Sequence, residues 1–297
     1  MYMRKPFLRS IIILTLCLTI LSVLPFHLNG KSFLWEVNYN GTKSYLLGSI
    51  HMMKEDIFPL KKEIEDAFSS SKYLVVEADI SSGKTAELLK LTLENANYKD
   101  KTILKDHLTE KTYQIVKKKM DELGMSIDYF KTFKSWFVAM TITSMEFMKL
   151  GFNPNFGIDK YFIEKGKDKN IVELEGMKFQ MDLFNNFTDK ENESFLLSTI
   201  NEASSLGKNI DKMVKAWKDG AVDKMVEFVN EDRGNNSDME DVFKVIIEKR
   251  NLKMSEKISA LIKEEKKCFV IVGAAHLIGK EGVVNLLVNM GFKIKQI

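Results

Sequence analysis

Two segments near opposite ends of this chain carry the same pattern: an apolar run, then glycine, two residues and histidine. The first is Tyr45-Leu46-Leu47 leading into Gly48-Ser49-Ile50-His51. The second is Phe269-Val270-Ile271-Val272 leading into Gly273-Ala274-Ala275-His276. The chain has only 4 histidines, and His27 falls in a segment read below as a targeting signal. Short apolar runs bounded by glycine read as buried β-strands. In an open α/β sheet, ligands bind just beyond the carboxyl ends of the strands. Two strands that each deliver an imidazole to such an edge therefore constrain the fold. The two ends of the chain must meet in one sheet if the histidines are to act together.

The rest of the chain fits that expectation. Residues 33–38 alternate apolar and polar, Asn40-Gly41 supplies a tight-turn signal, and residues 43–47 return as a second strand. Further strands are expected at 73–77, 170–175, 268–272 and 293–297. Pro59 stands at a plausible first position of a helix running to Ser70. In the middle, Tyr113, Val116, Met120 and Leu123 mark one helix face, with Gly124 as a stop. Phe130, Phe133, Trp136, Phe137, Met140, Phe147 and Met148 mark a longer helix or helix pair ending near Gly151. Such an aromatic and methionine stripe reads first as helix core, and second as a substrate groove or membrane-leaning surface. A helix at Ile158–Lys165 and several more over 178–264 follow, with a polar break at Gly234-Asn235-Asn236-Ser237. A last helix is expected at 283–290. The fold class is thus α/β: a central mixed sheet built from both chain ends, with flanking helices and a large helical insertion around 100–265. The two strand–Gly-x-x-His units form a candidate pair of half-domains related by pseudo-symmetry.

With 45% hydrophobic and 29% charged residues, the chain can bury a sizeable core. Residues 1–30 contain Arg4, Lys5 and Arg9 and no acid. Without them the 44 basic residues fall to 41, equal to the 41 acidic ones. A formally neutral mature chain argues against nucleic acid as a partner, because phosphate binding needs clustered excess charge. The basic start, the apolar run 11–24 and the polar stretch ending Leu28-Asn29-Gly30 have the layout of a secretory signal. The run is short of the roughly 20 residues of a membrane span. Residues 1–30 are read as a cleaved signal peptide or an uncleaved N-terminal anchor at residues 7–28. Either reading places 31–297 outside the cytoplasm, secreted or held at the outer face of the membrane. Cys17 lies in the apolar run, so Cys268 is alone in the mature chain and makes no internal disulfide. It opens an apolar strand and reads as a buried small hydrophobe.

His51, Glu77, Glu175 and His276 all lie just beyond expected strands. Two imidazoles and a carboxylate form a catalytic metal set that leaves a position for water. The set is His51, Glu77 and His276. It contains no thiolate, so Zn²⁺, Mn²⁺ and Co²⁺ all fit. A further carboxylate can act as general base, and Glu77 or Glu175 would fill that role. Glycine before each histidine is expected to serve a positive φ or a close backbone approach. Asp79 shares a strand face with Glu77, and Glu173 with Glu175; both also read as solvated strand ends. Arg250-Asn251 lies in a charged helix, where a solvated face is the first reading. His107 reads as a loop residue. There is no Gly-rich phosphate loop, no His-Glu-x-x-His, no serine elbow and no Cys-x-x-Cys. These absences disfavour a P-loop NTPase, a zincin and an α/β-hydrolase.

At these residues the chain resembles the TraB/GumN family, which is related to the Tiki metalloproteases. The resemblance covers most of 33–297. It rests on the two Gly-x-x-His motifs and on Leu74-Val75-Val76-Glu77-Ala78-Asp79, Gly157-Ile158-Asp159 and Arg250-Asn251. Two departures are small: Ala275 stands where glycine often precedes the second histidine, and Ala78 where leucine is usual. The resemblance implies an α/β fold related to the erythromycin-esterase and ChaN-like proteins. It also implies His51 and His276 as metal ligands, Glu77 as ligand or catalytic carboxylate, and metal-dependent peptidase activity as in Tiki-type members. Asp159, Arg250 and Asn251 join Asp79 as further candidates. Two functions follow as expectations. One is an extracytoplasmic metal-dependent hydrolase acting on peptide or protein. The other is a non-enzymatic protein that holds a peptide or haem in the same cleft.

Overall fold

Six strands form one mixed sheet in a computed structural model that describes residues 30–233 and 237–297. Residues 1–29, with Cys17, His27 and the expected signal or anchor, lie outside the described residues, as does the polar break at 234–236. The strands are β1 (Leu34–Tyr39), β2 (Thr42–Ser49), β3 (Tyr73–Val76), β4 (Asn170–Glu173), β5 (Cys268–Gly273) and β6 (Lys293–Gln296), in the order β4-β3-β5-β2-β1-β6. The sheet draws on both chain ends, as expected. β4, β3, β5 and β2 run parallel, and β1 is antiparallel to both β2 and β6.

Local chemistry explains these elements. Asn40 (φ 49°) and Gly41 (φ 81°) turn the β1–β2 hairpin, the φ > 0 pair that matches strand twist. β5 is buried along its whole length, as a central parallel strand covered on both faces must be. Phe269 on β5 packs against Phe68 and Phe162, with ring centroids 5.4 and 5.0 Å away. Those rings belong to the helices Lys62–Ser70 and Ile158–Lys165. Burying each such ring contributes roughly 1.5–3 kcal/mol. Pro59 does not open the first of these helices. The chain becomes helical at Lys62, where the Lys61 carbonyl accepts from the N–H groups of Ile64 and Glu65.

The helical stretch has a core of its own. Val116, Met120 and Leu123, on and just after the helix Glu110–Glu122, meet Val138, Ala139 and Ile142 of Ser135–Lys149. The aromatic–methionine stripe splits accordingly. Trp136 is buried, Phe133 and Phe137 stack half-buried at 4.7 Å, and Met140 and Met148 are exposed. The 30-residue helix Asp189–Lys218 joins the two cores. Leu196 and Ile200 near its start pack in the helical core, while Ile210 and Trp217 pack in the sheet core. Its first turn is closed by a capping box in which Thr188 and Glu191 satisfy each other's backbone N–H groups. His107 is part of this region. It stacks on Tyr98 at 4.0 Å and bridges Thr102 and Asp189, far in sequence from the Gly-x-x-His strands. Among the described residues no helix is long and apolar enough to cross a membrane.

Candidate functional site

Four neighbouring parallel strands end on the same edge of the sheet. In the order β4, β3, β5, β2 they are followed by Glu175, Glu77, His276 and His51. Residues widely separated in sequence thus become neighbours through strand order alone.

β2 and β5 pair so that Ser49, not Gly48, lies opposite Gly273. This one-residue offset turns the two motif glycines to opposite faces, because strand side chains alternate. A Cβ on Gly48 would strike the Phe33 ring at 2.5 Å, inside the core. A Cβ on Gly273 would stand 3.4 Å from His51 Nε2, 3.5 Å from Glu77 Oε1 and 3.5 Å from His276 Cδ2. Neither glycine has a positive φ. Close approach is the reason for both, to a core ring in one case and to the functional groups in the other. The expected half-domain symmetry also stops at the motif. A loop follows β2, whereas the short helix Ala274–Leu277 follows β5.

The two histidines are held differently. His276 is 5% exposed, and its Nδ1 lies 2.6 Å from Asn251 Oδ1. Asn251 spends its amide N–H₂ on the Glu281 carbonyl at 2.7 Å, so its oxygen faces the ring. His276 therefore donates from Nδ1 and keeps Nε2 unprotonated, 4.0 Å from Glu77 Oε1. Burial pushes its pKa down to about 4. The His51 side chain is 64% exposed, with Nδ1 3.2 Å from Asp159 Oδ1. The Asp159 carboxylate raises its pKa. Asp159 reaches His51 because the helix Ile158–Lys165 begins against the His51 loop: Ile158 N–H donates to the Ile50 carbonyl at 3.1 Å. Gly157 permits that contact, since a Cβ there would lie 2.3 Å from the His51 carbonyl oxygen.

Glu77 sits in a web of donors. Its Oε1 accepts from Gly273 N–H at 2.7 Å, and its Oε2 from Gln180 at 2.9 Å and from Arg250. Burial alone would raise its pKa. The charges of His276, Arg250 and His51, with the Gly273 N–H, outweigh burial and hold it down to about 2. At neutral pH His276 is uncharged, which leaves Arg250 as the standing buried cation. Arg250 also grips Glu175, with Nε 3.0 Å from Oε1 and Nη2 2.7 Å from Oε2.

Each candidate thus has a defined place. His51, Glu77 and Asp159 line a cavity of about 430 Å³, and His276 is buried beside Glu77. Glu175, the other carboxylate expected as a general base, is drawn back onto Arg250 and is not among the residues that line the cavity. Asp79 turns away to Lys84 at 3.0 Å, and Glu173 accepts from the Asp79 N–H at 2.6 Å. Asn251 is buried and the Arg250 side chain is only 12% exposed, so neither lies on a solvated face. Their helix, Lys249–Lys263, presents them to the strand edge one turn before its apolar residues Met254, Ile258 and Ile262. Gln180, on the first turn of Met177–Asn185, was not visible in the sequence: a lone glutamine in a helix carries no spacing signal. Cys268 is buried, and burial pushes its thiol up to about 11.

Whether these residues fit a metal can be judged from the donors. Two imidazoles, one with its tautomer fixed, and an ionised carboxylate gather around the Gly273 Cα. The set stands slightly open. The 4.0 Å between His276 Nε2 and Glu77 Oε1 exceeds the roughly 3.3 Å between two ligands of a tetrahedral ion. Among the described residues no three His, Cys, Asp or Glu side chains form a closed ligand cluster. The donors fit in kind and in facing, and the exposed His51 has room to close the set.

The molecule is an α/β protein whose central parallel strands bring a His–Glu–His set to one sheet edge. The chain belongs to the TraB/PrgY/gumN family, which it matches over residues 33–296. It is 26% identical over 266 residues to proteins named uncharacterized protein YbaP from Shigella flexneri and from Escherichia coli (strain K12). The alignments cover 88% of this chain and 95% of each relative. No solved structure matches the chain.

Proposed function

We propose that this cleft is the active site of a metal-dependent hydrolase that acts on peptide or protein outside the cytoplasm. The observation that carries the reading is the convergence of His51 Nε2, Glu77 Oε1 and His276 on the face of Gly273. His51, His276 and Glu77 would hold Zn²⁺, Mn²⁺ or Co²⁺. Such an ion supplies a water of lowered pKa and polarises a carbonyl.

The chain's own groups supply the rest. Asn251 keeps His276 in the tautomer with Nε2 free, a carboxamide version of the partners that orient ligand imidazoles. Asp159, 3.2 Å from Nδ1, orients the His51 ring with Nε2 toward Glu77. Arg250, backed by Glu175, holds Glu77 as an anion and fixes its orientation. A pKa near 2 suits Glu77 to ligation, because a general base works best near the operating pH. Asp159 is the other carboxylate that lines this cavity, and its Oδ1 has the His51 ring beside it at 3.2 Å. It is the acceptor we assign to the proton of the attacking water. The cavity walls Met52, Ile80, Ile163 and Met177 would exclude bulk water from the scissile bond. The basic start and apolar run of residues 1–30 support an extracytoplasmic site.

The test is metal content and hydrolysis of a peptide library by the full-length protein, wild type beside His51→Ala. Metal retained and peptides cleaved only by the wild type is the expected result. Equal cleavage by both would sink the reading. Tight binding of intact peptide would favour the non-enzymatic alternative.

A further inference from the structure

Four buried side-chain polar atoms have no hydrogen-bond partner among the described residues, and two of them belong to residues that line the cavity of the His–Glu–His set: Asp159 Oδ1 and Ser49 Oγ. Asp159 already has the His51 ring at 3.2 Å. Ser49 has nothing. Its residue is 3% exposed, and an unsatisfied buried hydroxyl is a standing cost in a folded protein.

Its position gives that cost a reason. Ser49 is the last residue of β2 and lies opposite Gly273 of β5. In-register neighbours in a parallel pair project to the same face, about 4.8 Å apart. The Ser49 side chain therefore leaves the sheet beside the point where a Gly273 Cβ would stand. His51 Nε2 and Glu77 Oε1 gather around that point at 3.4 and 3.5 Å. A carboxylate and the free Nε2 of His276 both accept there. A substrate carbonyl that gains negative charge needs a donor, and the Ser49 O–H is an uncommitted donor on the strand next to Gly273.

We propose that Ser49 is a substrate-contacting residue whose hydroxyl donates to the carbonyl oxygen of the scissile bond and to the oxyanion formed from it. This rests on the hydrolase reading above, and it explains why a serine with no internal partner stands at this register position.

The assignment makes stability and activity move in different directions. Ser49→Ala removes an unsatisfied hydroxyl, so the full-length protein should melt at the same temperature or slightly higher. Its metal content should not change. Its kcat on the cleaved library peptides should fall roughly 10²-fold, the loss typical for one oxyanion donor. Ser49→Thr keeps the hydroxyl and should recover most of that loss. A Ser49→Ala protein that melts several degrees lower would show that the hydroxyl braces the fold, and would overturn the proposal. So would unchanged kcat. If the wild type binds peptide without cleaving it, the hydrolase reading fails, and Ser49 is judged by affinity. Weaker binding by Ser49→Ala would then keep it as a ligand contact, and unchanged binding would remove it. A wild type that neither binds nor cleaves any peptide would overturn both.

Discussion

The β2 arm and the β5 arm begin with the same four-residue pattern and end in opposite surroundings. His51 leaves β2 into an exposed loop and faces a carboxylate that raises its pKa. His276 leaves β5 into a short buried helix and faces a carboxamide, with its pKa pushed down to about 4. One arm holds a cation-prone, accessible imidazole, and the other a neutral, fixed one. A shared motif therefore specifies where an imidazole is delivered, while its neighbours specify which protonation state is delivered. A cleft that must admit a ligand gains from this asymmetry: a preset donor at the back and an adjustable one at the mouth.

Substitutions in the two arms should separate what they share from what differs between them. The largest effect is expected on activity, where both arms should behave alike. His51→Ala and His276→Ala should each lose about 10³-fold or more in hydrolysis, together with bound metal, read by peptide assay and metal analysis. Survival of either activity would show that only one arm belongs to the site. Next is the shared support. Arg250→Ala leaves Glu77 and Glu175 buried without their cation and should cost about 3–5 kcal/mol of stability, measured by urea unfolding. Little change would mean that the carboxylates are not held as the geometry indicates.

Stability should then separate the arms. His276→Ala should cost roughly 2–3 kcal/mol and His51→Ala under about 1 kcal/mol. Equal costs would deny the contrast in burial.

The pH dependence of the metal-free protein sharpens this further. His276 has a folded pKa below its unfolded value of 6.5. Its stabilisation is complete above pH 6.5 and is lost as pH falls toward 4. Between pH 6.5 and 4.5 the loss should reach roughly 2–3 kcal/mol. His51, with a raised folded pKa, contributes fully below 6.5 and loses its contribution as pH rises through the folded value. It is therefore silent in the acid window. Glu77, lowered to about 2, titrates only below it. Urea unfolding of His276→Gln should lose most of the slope in the upper part of that window, above about pH 5, where the carboxylates do not yet titrate; an unchanged slope there would point to another group. The smallest effect is that of Asp159→Asn, which should bring the His51 pKa back toward 6.5 in an NMR titration while the fold stays intact.

Much of the fold was legible. All six strands were: the central parallel ones leave unbroken apolar runs such as 269–272, the hairpin announces itself in Asn40-Gly41, and the half-exposed edge strands β4 and β6 still show as short runs with apolar residues at Ile171-Val172 and Ile294. The delivery of His51, Glu77, Glu175 and His276 to strand ends was legible for the same reason. The start of the first helix was not, since proline marks a helix entry without fixing the residue at which hydrogen bonding begins. Arg250 read as a surface residue because a charged side chain among lysines normally is one. Only the two carboxylates from β3 and β4 make its burial tolerable. Gln180 carried no signal at all, and Ser49 was visible as a letter of the motif without a role.

Sequence alone determined that two imidazoles and a carboxylate would follow buried strands, because apolar runs and glycines are local and readable. The strand order β4-β3-β5-β2 belongs to the tertiary structure, and so does the offset that sets Ser49 opposite Gly273. These depend on which strands pair and in what register, and pairing is settled by packing between distant segments. That register turns one glycine to the core and the other to the site. It also sets His51 beside Asp159 and His276 beside Asn251, the contacts from which the two histidines take their different charge states.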